Sequence, residues 1–226
     1  MEWTRDVSLG QWIVEGTSGH LGNGVNDLVP RGFEAYARIP HPDDIGRLPV
    51  LPQVVRLLMD HTSTPTDATA AIWEGWGGLV SSGGRATLML GEVRAYQSFL
   101  AQALWALQQQ WWRLRSRFEP SPQPGSGILP AEVATGPKLE MPDRAYFLAR
   151  LDLHDLAEDD WENRVLWADP PLTENPSLLW PDDRAWVLAT EIDLDWTVVA
   201  GSRDLVRALV QSGLRTVEIP PTTDMS

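Results

Sequence analysis

The stretch Asn175–Ser202 reads NPSLLWPDDRAWVLATEIDLDWTVVAGS and carries the clearest fold signal of the 226-residue chain. From position 186 onward, the even positions are mostly large and apolar, whereas the odd positions include Glu191, Asp193 and Asp195. Alternation with a period of two is typical of a strand or hairpin that packs one side against a core. The pattern therefore predicts an outward row of carboxylates. Four large residues are expected on the core side: Trp186, Leu188, Ile192 and Trp196.

The acidic row allows two interpretations. If the segment stays extended, Glu191, Asp193 and Asp195 follow one another at intervals of about 7 Å, which is two residue rises of a strand. They could then bind a divalent cation together with the acidic stretch 152–162. Otherwise they form a solvated face or a turn in an acidic protein. We favour the second interpretation and expect this face to be offered to a partner.

Composition limits the range of functions. The chain has 31 acidic residues against 18 Lys and Arg, which gives a net charge of −13. Unaided nucleic-acid binding is not expected, because it depends on the neutralisation of phosphates by basic side chains. A basic protein partner is easier to accommodate. The chain has no cysteine, which excludes disulfides, thiolate nucleophiles and cysteine-ligated metals.

The sequence predicts a soluble, cytoplasmic protein that makes no use of a membrane. No run of about 18 apolar residues occurs, and the N-terminal residues lack a basic segment followed by an apolar one. The hydrophobic content of 43% is sufficient for a sizeable core. We therefore expect one α+β domain spanning residues 1–226.

The predicted strands are mostly joined by loops or hairpins, which favours a mainly antiparallel sheet covered by helices on one face. A helix is expected after Pro52, and another after Ser202, which is a plausible N-cap; Gly213 is suited to the left-handed position that ends this last helix. The segments 69–76 and 85–90 are expected to pair as a hairpin. Strands are predicted at 33–39, 69–76, 85–90, 145–151, 184–192 and 196–200, with a short one at 216–219.

Residues 93–118 show apolar side chains spaced by threes and fours over about seven turns, uninterrupted by Gly or Pro. This pattern predicts one long helix, which would either cover the domain's own core or form a face for a partner or for self-association. The following segment, 119–142, is rich in Pro and Gly and predicts a linker or long surface loop. Both would be elaborations of the single domain.

Two tryptophan pairs are candidate partner-binding residues. Trp73 and Trp76 stand in the glycine-rich stretch WEGWGG, where they could form a stacking platform or close the edge of a core. Trp111 and Trp112 are neighbours in the predicted long helix, and side chains of neighbouring helical residues point about 100° apart. One of this second pair should therefore be exposed or contact a partner.

The segment His41-Pro42-Asp43-Asp44 resembles the signature of the zinc-dependent GlcNAc-type deacetylases. In that family the motif follows the first strand of a Rossmann-like sheet. The resemblance implies that His41 and Asp44 bind zinc and that Asp43 acts as a general base. The alternative is a surface turn shaped by Asp and Pro. We do not assign a metal site on this motif alone.

Three segments, 29–42, 72–77 and 175–202, together resemble an uncharacterised family of soluble proteins from high-GC bacteria. Their arrangement of turns, tryptophans and acids is also similar to that of the bacterial toxin-immunity proteins, which are small acidic α+β proteins. These resemblances cover the two ends of the chain. They leave the predicted helix 93–118 and the linker 119–142 unmatched.

The leading hypothesis is a non-catalytic, acidic protein-interaction module without a cofactor. Its partner would be a basic protein, such as a toxin domain or a component of the same locus. One alternative is a metal-dependent hydrolase that uses the segment His41–Asp44. Another is a structural subunit of a larger assembly that docks through residues 93–118.

Overall fold

The computed structural model describes residues 1–18, 24–41, 48–76, 78–81, 125–142, 144–169, 173–191 and 194–223. The chain forms two compact units. The first consists of Met1–Glu74 and Gly136–Ser226, and the second, Gly75–Thr135, is inserted into it. The predicted helix 93–118 and the predicted strand 85–90 lie outside the described residues. Within the described ranges, no helix is both long and apolar enough to cross a membrane.

The first unit is built on a nine-stranded sheet whose described pairings are all antiparallel. The strand order is β1-β5-β3-β6-β7-β8-β2-β9, and β4 pairs with β5. This confirms an α+β fold with a mainly antiparallel sheet. The strands are β1 (Glu2–Thr4), β2 (Ala35–Pro40), β3 (Ala68–Trp73), β4 (Leu139–Met141), β5 (Arg144–Leu151), β6 (Leu178–Pro181), β7 (Val187–Thr190), β8 (Trp196–Gly201) and β9 (Val217–Ile219).

The described helices are short. Six are α-helical: α1 (Gln11–Gly16), α2 (Val25–Leu28), α3 (Leu51–Met59), α4 (Ala131–Ala134), α5 (Leu153–Ala157) and α6 (Arg203–Gln211). Two 3₁₀ segments, Val7–Gly10 and Trp161–Asn163, complete them. Helix α4 belongs to the inserted unit, and the other five belong to the first unit.

Both faces of the central sheet are covered, so the prediction of helices on one face only is wrong. Every residue of β6, β7 and β8 is buried, whichever face its side chain occupies. Ile13 of α1 and Leu28 of α2 pack with Trp196 in a core on one face. On the other face, α6 lies so close to β8 that a Cβ on Gly201 would stand 2.7 Å from Leu205 Cδ2.

The even-numbered apolar residues of the 186–198 stretch occupy two faces, because the stretch is a hairpin. Strands β7 and β8 pair with Val187 opposite Ala200 and Thr190 opposite Thr197. Opposite residues share a face, so the even positions of β7 lie with the odd positions of β8. Leu188 is therefore on one face and Trp196 on the other. Both are buried, as predicted, but not on one common core side.

Several sequence-predicted elements are confirmed with small shifts in their bounds. Strands β2, β3, β5, β8 and β9 and helices α3 and α6 lie where they were expected. Ser202 caps α6 by accepting a hydrogen bond from the Leu205 amide at 3.2 Å, and Gly213 has a φ of +83°. The sequence predicted that 69–76 pairs with 85–90 as a hairpin. Along Ala68–Ala71, strand β3 pairs with β5 on one side and with β6 on the other, so this part of β3 is not available to 85–90.

Candidate functional site

A buried ion pair joins the start of β5 to the end of β7. The guanidinium of Arg144 contacts the Glu191 carboxylate, and their side chains are 9% and 3% exposed. The hydroxyl of Tyr146 donates a hydrogen bond to Glu191 Oε1 at 3.2 Å. The Arg144 guanidinium also lies over the ring of Trp73, 5.3 Å from its centre, within the range of a cation–π interaction. We call these four residues the Glu191 cluster.

Strand geometry brings the cluster together. Trp73 of β3 lies opposite Tyr146 of β5, and Arg144 is two residues before Tyr146, so all three side chains share one face. Glu191 follows β7 and stands two residues after Ala189, which packs in the core of that same face. The expectation that Glu191 lies on an outward row is therefore wrong. Its side chain is buried because this face of the sheet is also covered.

The electrostatics of the cluster are those of a desolvated site. Burial is the largest cause that raises the pKa of Tyr146, and the nearby Glu191 charge raises it further, so the phenol stays protonated at neutral pH. A buried ion pair loses the hydration of both charges, and its mutual attraction compensates for this only when the geometry and further hydrogen bonds are good. The tyrosine hydroxyl and the tryptophan ring supply such contacts here.

A small, partly enclosed pocket adjoins the cluster. Glu191 and Tyr146 contribute to its wall, and Asp27 contributes from helix α2. The remaining wall is apolar and comes from Leu28, Met141, Pro142 and Leu178. Two acidic residues, a tyrosine and four apolar residues thus line one concave surface.

The structure unites two of the seven predicted partner-binding residues. Trp73 and Glu191 meet through Arg144, and Trp73 is only partly buried. Asp195 is exposed, and Trp76, in the inserted unit, is partly buried. Trp111, Trp112 and Asp193 lie outside the described residues.

His41 is buried and faces a row of hydroxyls. One ring nitrogen, Nε2, is 2.9 Å from Thr197 Oγ1, which is itself 2.9 Å from Thr190 Oγ1. Burial lowers the pKa of His41, although the negative charge of Asp195 opposes this change. Asp43 and Asp44 lie outside the described residues, so the ligand set implied by the deacetylase resemblance stays a prediction. In the part of the chain that the structure describes, no group of three His, Cys, Asp or Glu residues is placed to hold a metal ion.

Sequence reasoning missed Arg144, Tyr146 and Asp27. Arg144 and Tyr146 stand at alternate positions at the start of β5, whose sequence is RAYFLARL. A basic residue at a buried strand position, such as Arg144, is the signal that could have indicated an internal partner. The partner itself, Glu191, was assigned to the outward row. Asp27 offered no such signal, because it gains its position only from the fold.

The acidic stretch 152–162 forms a second feature, here called the acidic corner. Asp152 caps α5 by accepting a hydrogen bond from the His154 amide at 2.9 Å. Burial raises the pKa of Asp152, but the hydrogen bonds from His154 and nearby positive charge together lower it. The apolar residues Leu153, Leu156 and Trp161 are buried beneath the corner. The carboxylates of residues 158, 159 and 160 are exposed.

Comparison of the chain with family models, with curated proteins and with solved structures finds no match. The resemblances noted from the sequence therefore remain expectations.

Proposed function

We propose that this protein is a non-catalytic, acidic interaction module that binds a basic protein partner through the acidic corner. The observation that carries the proposal is the run of three exposed carboxylates, Glu158, Asp159 and Asp160, between a buried helix face and the buried Trp161. Their backbone is held in place on both sides. This backbone would therefore lose little conformational freedom when a partner binds.

The charge balance of the acidic corner supports a basic partner. The corner contains six carboxylates in eleven residues. Two described arginine ion pairs give only partial compensation: Arg56 contacts Asp159 at 2.7 Å, and Arg164 contacts Asp160 at 2.6 Å. Such exposed pairs contribute about 0 to 1 kcal/mol each and exchange readily for a partner's charges. Complementary charge of this kind accelerates association and selects against acidic partners.

Affinity capture with the intact protein tests the proposal. We expect the wild type to retain a basic protein from its native host, with binding that weakens as salt is raised. The triple variant Glu158→Gln, Asp159→Asn and Asp160→Asn should bind that protein at least about tenfold more weakly, since three contacts of about 0.5 kcal/mol each sum to this factor.

A matched control separates local recognition from net charge. The triple variant Glu132→Gln, Glu140→Gln and Glu218→Gln removes the same number of exposed carboxylates elsewhere on the surface. It should keep the wild-type affinity. Equal loss in both triple variants, or recovery of the protein alone as a monomer, would contradict binding through the acidic corner.

A further inference from the structure

Strand β9 forms one outer edge of the sheet. It pairs with β2 on one side, and among the described residues no strand pairs with its other side. Val217 of β9 is 48% exposed, which is the largest exposure of any large apolar side chain in the described ranges. An edge strand also directs part of its amide and carbonyl groups away from the sheet, where an added strand can pair with them. The edge therefore offers main-chain groups and an apolar contact together.

Arg38 of β2 lies beside this edge without a counter-charge. It is directly opposite Val198 of β8 and Val217 of β9, so these three side chains form one row on the same face. Arg38 is partly buried, its Nε is buried without a hydrogen-bond partner, and no ion pair of the described residues includes it. A buried donor without an acceptor is unfavourable, above all on a charged group. An acidic ligand would supply the acceptor that the described chain does not.

The charge around the edge differs from that of the whole chain. Residues 203–219, which contain α6, β9 and the connection between them, include three arginines and two acidic residues, and Arg38 adds a fourth arginine. The whole chain has a net charge of −13. An acidic ligand is therefore repelled less at this edge than elsewhere on the surface.

We propose that the β9 edge binds an extended acidic segment of a partner protein as an added strand, with a glutamate side chain on Arg38. The residue of the added strand that faces Val217 lies in the row of Arg38, two strand spacings or about 10 Å away. A glutamate and the long arginine side chain can meet over Val217 and form a charge-assisted contact.

The arginine contact should dominate the affinity of the β9 edge. Strand β9 has only three residues, and Pro220, which follows it, has no N–H to donate. The main-chain contribution to binding is therefore small. The edge is independent of the acidic corner, which attracts the opposite charge.

Titration of the intact protein with two blocked peptides tests the site. The probe is N-acetylated, C-amidated Ser-Val-Glu-Val-Ser, and the comparison peptide has glutamine in place of glutamate. Two-dimensional NMR should show saturable binding of the probe in the millimolar range, with the largest shifts in β2 and β9. The glutamine peptide should bind at least about tenfold more weakly. Equal affinities, shifts centred outside β2 and β9, or no saturable binding would overturn the proposal.

Two variants and a matched control assign the binding to the row. Arg38→Met removes the charge and keeps an apolar stem, so the probe should bind no better than the glutamine peptide. Val217→Glu alters an exposed side chain, places a carboxylate opposite Arg38 and should abolish binding. Arg5→Met is the control, because Arg5 is an exposed arginine that follows β1 at the opposite edge of the sheet.

Arg5→Met should bind the probe like the wild type. Undiminished preference for the glutamate peptide in either row variant, or an equal loss in Arg5→Met and Arg38→Met, would also overturn the proposal. Val217→Glu keeps this test decisive if Arg38→Met does not fold.

Discussion

The carboxylate of Glu191 and the guanidinium of Arg144 contact each other where both side chains are almost fully excluded from solvent. Tyr146 donates to the same carboxylate, and Trp73 covers the guanidinium. The phenol and the indole thus add uncharged contacts to the ion pair. Removing either member leaves the other buried without its counter-charge, which is more costly than the loss of the interaction itself.

We therefore predict strong coupling between Arg144 and Glu191. Glu191→Gln keeps an acceptor for Tyr146 but leaves the guanidinium uncompensated, and should lower the free energy of unfolding by about 3 kcal/mol. Arg144→Met should cost a similar amount. The double variant should cost clearly less than the sum of the two, because no isolated charge remains. Urea denaturation measures all three values.

The exposed ion pair of Arg207 with Asp204 provides the comparison. Its side chains are 63% and 78% exposed, and its atoms are 2.7 Å apart. Arg207→Met should change the free energy of unfolding by no more than about 0.5 kcal/mol. Additive losses for Arg144 and Glu191 would mean that their contact contributes no coupling energy.

The sequence predicted most elements of the first unit but not the face on which each side chain lies. Apolar alternation and the Ser202 and Gly213 signals located β8 and α6 correctly, because they depend on local geometry. The burial of the Glu191 side chain could not be predicted from local geometry. Glu191 is buried because the sheet is covered on both faces, and alternation within one strand does not reveal a second covered face. The contact between Arg144 and Glu191 was not predictable either, because it joins strands that are distant in sequence.

Stability should fall in mild acid because of His41. Burial lowers its pKa below the value of 6.5 found in an unfolded chain. Below pH 6.5 the unfolded state therefore takes up a proton before the folded state does, and stability decreases until the lower folded pKa is reached. Above pH 6.5 the residue makes no pH-dependent contribution. Melting temperatures measured across this range would show the trend.

Two substitutions assign the acid sensitivity. His41→Gln should remove much of the fall in melting temperature below pH 6.5, since glutamine does not titrate. Asp195→Asn removes the negative charge that opposes the lowering of the His41 pKa, so in this variant the fall should become larger. An undiminished fall in the His41→Gln protein would show that other groups cause it.

Asp183 should make the turn between β6 and β7 sensitive to strong acid. Its carboxylate accepts hydrogen bonds from the Ser63 amide at 2.6 Å, the Ser63 hydroxyl at 2.8 Å, the Thr62 hydroxyl at 2.9 Å and the Ala185 amide at 3.1 Å. Partial burial alone would raise the pKa of Asp183, but these bonds together lower it below 3.8. The stabilisation is complete above pH 3.8 and is lost as the pH falls through the folded pKa.

Asp183→Asn should lower the free energy of unfolding at neutral pH by about 1 kcal/mol, because amide oxygen accepts more weakly than carboxylate. It should also reduce the pH dependence of the free energy of unfolding below pH 3.8. Urea denaturation at several pH values measures both effects. Glu218→Gln, which alters an exposed carboxylate, should leave the free energy of unfolding at neutral pH unchanged.

The N-cap of α6 at Ser202 should make a small contribution to the stability of the fold. Ser202→Ala removes the acceptor for the Leu205 amide and should cost about 1 kcal/mol. Ser202→Asp preserves an acceptor and adds a favourable charge at the helix N-terminus, so its stability should stay within about 0.5 kcal/mol of the wild type. Thermal melting distinguishes the two, and an equal loss in both would exclude capping as the cause.

The first unit should fold without the inserted one. All strands of the described sheet lie in residues 1–74 and 136–226. The two ends of the insertion are held together, since Lys138 Nζ is 2.5 Å from Glu74 Oε2 and the Glu74 amide donates to the Ala145 carbonyl at 3.0 Å. A Gly/Ser linker of about six residues spans up to about 20 Å and can replace residues 75–135. We expect a cooperative melting transition and the sheet signal in circular dichroism. Loss of both would show that the sheet requires residues 75–135.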